Sequence, residues 1–92
     1  MSVKRVQAIV TGNVHGVGFR YYAVHVAGRL GVTGTVRNTA DGVEAVAEGD
    51  EASLKDFVDQ LRQGPSNAEV RDVLEAWSDV PAGSFASFTA IS

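Results

Sequence analysis

The order of the periodic segments predicts an α+β fold of the split βαβ, or ferredoxin-like, kind: an antiparallel sheet carrying two helices on one face. Three observations carry this. The segments run strand, helix, strand, strand, helix, strand. Two stretches place their apolar residues at helical spacing, and Asp41-Gly42 supplies a hairpin turn between the second and third strands.

Lys4 to Thr11 alternates as a strand, with Val6, Ala8 and Val10 on one face and Arg5, Gln7, Ile9 and Thr11 on the other. Phe19, Tyr22, Ala23, Val26, Ala27 and Leu30 then fall on one helical face, and Gly31 is placed to end the helix. Val32 to Asn38 and Val43 to Glu48 read as the two arms of the hairpin, the second with Val43, Ala45 and Ala47 on one face. Asp50 is suited to cap a second helix, with Glu51 in its first turn, where negative charge is favourable. Leu54, Phe57, Val58 and Leu61 form its stripe, and Gly64-Pro65 stops it. Ala68 to Trp77 and Phe85 to Ile91 read as strands separated by Pro81-Ala82-Gly83. Val70 and Val73 lie three apart, which predicts a bulge in the fourth strand.

The chain has 92 residues, so residues 1–92 are expected to form one small domain. It contains no cysteine, which excludes disulfides and thiolate metal sites and fits a reducing cytoplasm. No segment is apolar enough to span a bilayer. A net charge of −3, with the eight Lys and Arg residues scattered, argues against a general nucleic-acid binder. With two histidines and no paired carboxylates at ligand spacing, a metal site is not expected.

The most informative stretch is Gly12-Asn13-Val14-His15-Gly16-Val17-Gly18-Phe19-Arg20. Three glycines free the backbone so that successive N–H groups can turn toward one point. The helix N-terminus adds unpaired N–H groups and the positive end of a dipole. Arg20 adds a planar fork that can take two phosphate oxygens at once. Together these predict a cradle for a small oxyanion, most simply a phosphate. No Gly-Lys-Ser/Thr follows, so this is not a Walker loop. Asn38, just before a turn, reads by itself as a turn residue. His25 and Tyr21 fall toward solvent, and Trp77 reads as a packing residue on its strand.

At each fixed position the loop matches G-x-V-x-G-V-G-F-R, the hallmark of the acylphosphatases. Gly34-Thr35-Val36-Arg37-Asn38 with Asp41-Gly42, and Gly64-Pro65 followed by Ala68 and Val70, resemble two further elements of that family in its order. The resemblance runs from about Val3 to Ile91. One position departs: Thr35 stands where the family usually carries tryptophan. The resemblance implies the same fold with a fifth strand at the C-terminal end, and hydrolysis of acyl phosphates to carboxylate and inorganic phosphate without a cofactor. It implies that Arg20 and the loop N–H groups of His15, Gly16, Val17, Gly18, Phe19 and Arg20 bind the phosphoryl group. It also implies that Asn38 holds the attacking water, with Thr39 bracing the amide. The expected partner is a small acyl phosphate, with phosphate or sulfate as competing anion. A monomer is expected, with neither membrane nor nucleic acid involved.

Three other readings stand beside it. The first is a non-catalytic phosphate-sensing module on the same fold. The second is an RNA-binding domain, which needs exposed aromatics that the strands Lys4–Thr11 and Val43–Glu48 lack. The third is a domain of a larger carbamoyl-phosphate-processing protein.

Overall fold

The computed structural model describes residues 3–81 and 83–92. Of the expected Pro81-Ala82-Gly83 connection, Ala82 lies outside the described residues. The elements are β1 (Val3–Asn13), α1 (Phe19–Leu30), β2 (Thr33–Asn38), β3 (Gly42–Gly49), α2 (Glu51–Gln63), β4 (Glu69–Val80) and β5 (Phe88–Ala90). They form one sheet in the order β4-β1-β3-β2-β5. Neighbouring strands among β1 to β4 pair antiparallel, while β5 runs parallel to β2.

Alternation decides which face meets the helices. Val6, Ala8 and Val10 of β1 and Val43, Ala45 and Ala47 of β3 are buried, as is Val36 of β2. Against them lie Ala23, Val26 and Ala27 of α1 and Leu54, Phe57, Val58 and Leu61 of α2. The stripe of α2 is fully inside, whereas Tyr22 and Leu30 of α1 are only half-buried. Tyr22 ties the two helices together by donating from its hydroxyl to the Gln60 carbonyl, 2.8 Å away.

Two features of the outer strands refine the reading from alternation. Thr11 pairs with Asp72 and Gly12 with Val70, so Arg71 is the extra residue of a bulge in β4 where the valine spacing foretold one. The last strand is shorter than Phe85–Ile91. Only Phe88–Ala90 pair as a strand, because the preceding segment is held by other partners. The Ser84 N–H donates to the buried Glu48 carboxylate at 2.7 Å, and the Ser87 carbonyl accepts from the Gly34 N–H at 3.0 Å. Burial alone would push the Glu48 carboxyl up, but the Ser84 N–H and the Arg5 guanidinium together hold it below its ordinary value.

Candidate active site

The site begins where β1 ends. Val14 is buried and anchors one end of the loop, and Phe19, also buried, anchors the other. Between them Gly16 and Gly18 adopt left-handed φ values of 71° and 79°. A Cβ at either position would meet nothing within 4 Å, so backbone conformation rather than crowding requires glycine there.

Gly18 is also the N-cap of α1. It has no side chain to cap the helix, and no acidic residue lies in the first turn. The first main-chain bond of the helix is Tyr22 N–H to the Gly18 carbonyl, 2.9 Å. The N–H groups of Phe19, Arg20 and Tyr21 therefore have no acceptor within the helix. They stand at the positive end of its dipole. Arg20, exposed, adds a full positive charge to the same end, and among the described residues no salt bridge occupies its guanidinium.

Asn38 comes to this place from a different direction. It is the last residue of β2 and shares the helix-side face with Val36 and Gly34. A cleft of about 510 Å³ is lined by Gly16, Gly18, Phe19, Arg20 and Asn38 together with residues of α1 and β5. Backbone dipoles, one guanidinium and one amide thus face a common space. That combination can hold a tetrahedral oxyanion and orient a small polar molecule beside it.

His15 and Val17 are not among the residues lining the cleft. Val17 packs against the core. The His15 imidazole lies across the loop, with Nε2 2.7 Å from the Gly42 carbonyl oxygen. A carbonyl only accepts, so Nε2 carries the hydrogen. The same carbonyl accepts from the Thr39 N–H at 2.8 Å, and the Gly42 N–H donates to the Thr39 hydroxyl at 3.1 Å. Thr39 therefore braces the turn beside Asn38, with Gly42 as the partner of its hydroxyl. Through His15 the glycine loop is fastened to the hairpin that carries Asn38.

Thr35 pairs with Val46 on the opposite face of the sheet from Val36 and Asn38, so the position of the unusual threonine faces away from the cleft. Sequence reasoning missed the rest of the cleft's lining, Val14, Tyr21, Val24, Phe88, Thr89 and Ala90. Val24 lies four residues after Arg20 and three after Tyr21, at helical spacing, and was open to discovery. The contribution of β5 was not, because it depends on a parallel pairing with β2 across more than fifty residues. Among the described residues, no group of three or more His, Asp or Glu side chains is placed to hold a metal ion.

The family model for acylphosphatase matches residues 6–90, which includes the loop, Arg20, Asn38 and β5. The chain belongs to the acylphosphatase family. An acylphosphatase of Moorella thermoacetica is 49% identical over 74 residues, covering 79% of this chain and 80% of the relative. One from Salinibacter ruber is 45% identical over 86 residues, covering 92% and 90%. The crystal structure of acylphosphatase from Bacillus subtilis superposes with a TM-score of 0.86 at 33% identity, covering the whole of both chains. The ferredoxin-like α+β architecture of this acylphosphatase-family chain is thus shared along its full length.

Proposed function

We propose that this chain hydrolyses the carboxyl–phosphate bond of acyl phosphates, with Arg20 and the loop N–H groups holding the phosphoryl group and Asn38 orienting the water. Family membership supplies the reaction. The observation that supports these residue roles is the uncapped start of α1, opening with Arg20 onto the same cleft as Asn38. The water attacks phosphorus, the bond from phosphorus to the carboxylate oxygen breaks, and the carboxylate leaves with the electron pair. The water's proton passes to a phosphoryl oxygen, giving dihydrogen phosphate. Carboxylate is a weak base and leaves without a general acid. What the reaction needs is positioning and charge stabilisation, which one arginine, a ring of N–H groups and one held water provide.

In this reading the enzyme works without a cofactor, as a monomer in the cytoplasm, on a small-molecule substrate. No helix among the described residues is long and apolar enough to cross a membrane. The test is hydrolysis of benzoyl phosphate by the purified chain in EDTA, with inorganic phosphate as inhibitor. An undiminished rate and competitive inhibition are expected. Activity lost to the chelator and restored by Mg²⁺ would overturn the cofactor-free mechanism. Phosphate binding without hydrolysis would leave a phosphate-sensing module instead.

A further inference from the structure

Asn38 stands where the support of β2 thins. Along Gly34 to Val36 the strand is paired on both sides, by β3 and by β5. On the β5 side the pairing ends at Val36, whose carbonyl accepts from the Ile91 N–H at 2.8 Å. Arg37 and Asn38 are paired by β3 alone, opposite Glu44 and Val43. A carboxylate makes up the support from the face of the sheet turned away from the helices. Arg37 and Glu44 are direct cross-strand partners there, and the Arg37 Nε–H donates to Glu44 Oε1 at 2.7 Å. The other oxygen, Oε2, accepts from the Gln7 amide of β1 at 2.6 Å. Gln7 stands opposite Val46, so it reaches diagonally to Glu44. Both oxygens of one partly buried carboxylate are thus engaged, and they join β2 to β1 across β3. Arg37 first, then Gln7, holds the Glu44 carboxyl below its ordinary value, which keeps it an acceptor at neutral pH.

We propose that Glu44 is a positioning residue for the hydrolysis: by gripping Arg37 it fixes the end of β2, and so the placement of the Asn38 amide. The inference rests on the water-holding role of Asn38 proposed above. An ion pair with an exposed arginine contributes little to stability. A displacement near 1 Å in a site, by contrast, can cost about 10²-fold in rate. The clamp therefore matters for kcat more than for folding.

The test is Glu44→Ala in the full chain, with benzoyl phosphate kinetics, phosphate calorimetry and a melting curve. kcat is expected to fall roughly tenfold, a part of the loss that full misplacement brings. Phosphate affinity should stay at the wild-type value, because the glycine loop and Arg20 are untouched. Glu44→Gln should recover most of the loss: its amide oxygen still accepts from Arg37, and its N–H groups meet Gln7, whose amide can turn to accept. In an Asn38→Ala background, Glu44→Ala should cost no further kcat, since the residue it places is gone. Gln7→Ala, which removes only the β1 arm, should show a smaller fall of the same kind and serves where Glu44→Ala does not fold. Full kcat in folded Glu44→Ala, or the same loss with Asn38 already removed, would overturn the inference and leave the water-holding role standing. A matching loss of phosphate affinity would overturn it too, placing the effect in the glycine loop through β1. Full kcat in folded Asn38→Ala would sink the water-holding role itself, and the inference with it.

Discussion

The two helices begin in opposite ways. At α2 the N-cap is Asp50, in extended conformation, whose carboxylate accepts from the Ser53 N–H at 2.9 Å, and Glu51 follows in the first turn. At α1 the N-cap is a left-handed glycine with no capping side chain, no acid follows, and the second residue is an arginine. At its start the first helix thus breaks each rule that the second obeys. Its N–H groups lack the partner that a capping side chain would give, and a cation sits where the dipole disfavours one. Both features oppose folding, and both would be answered at once by the proposed oxyanion. Local choices that conflict with stability in an otherwise consistent chain mark a working site. Here the contrast between two helices of nearly equal length points to the start of α1, in keeping with the proposed roles.

The largest effect should follow from removing the charge at the unsatisfied end. Arg20 would hold the phosphoryl group in both ground and transition states, so Arg20→Ala should raise KM, lower kcat and abolish phosphate binding by calorimetry. Asn38 would touch only the attacking water. Asn38→Ala should lower kcat on the order of 10²–10³-fold, the scale of one lost preorganised contact, while phosphate affinity stays close to wild type. A folded Asn38→Ala variant with near-full kcat would remove the water-holding role and leave α1 as an anion site alone.

His15 supplies the next test, because its bond to Gly42 joins the loop at α1 to the hairpin that carries Asn38. His15→Ala should reduce kcat by up to about 10²-fold, the cost of a misplacement near 1 Å. Glutamine can also donate a hydrogen bond to that carbonyl, so His15→Gln should restore most of the loss. If alanine and glutamine behave alike in folded protein, the imidazole bond does not position the site.

The fold was legible wherever one residue's neighbours in space were also its neighbours in sequence. The stripe Leu54, Phe57, Val58 and Leu61, the Asp50 cap and the Asp41-Gly42 turn are local features, and each appears where spacing put it. The spacing of Val70 and Val73 even revealed the bulge at Arg71, since a bulge shifts alternation by one residue. Legibility failed for β5, whose length depends on the Gly34 and Glu48 partners of the segment before it. At the site, the density of glycines before Arg20 pointed to the loop at the start of α1 that is proposed to hold the anion. No pattern in β2 alone distinguished Asn38 from a turn residue. The direction of the His15 ring was equally hidden, because its partner lies 27 residues away.

The smallest effect should come from the helix that obeys the rules. Asp50 serves only the end of α2, so Asp50→Ala should lower the melting temperature by a few degrees and leave kcat, KM and phosphate affinity unchanged. The loss should depend on pH in a definite sense. The Ser53 N–H and hydroxyl hold the Asp50 carboxyl below its ordinary value of 3.8. A carboxyl with a lowered folded-state pKa adds stability above its unfolded pKa, and that contribution disappears as pH falls through the folded value. Wild type and Asp50→Ala should therefore differ in melting temperature at neutral pH and converge in acid well below pH 3.8. Melting curves from neutral to acid pH, paired with benzoyl phosphate kinetics at neutral pH, measure both halves. A fall in kcat in the folded variant would mean that the start of α2 also reaches the site, and the division between a stabilising helix end and a working one would fail.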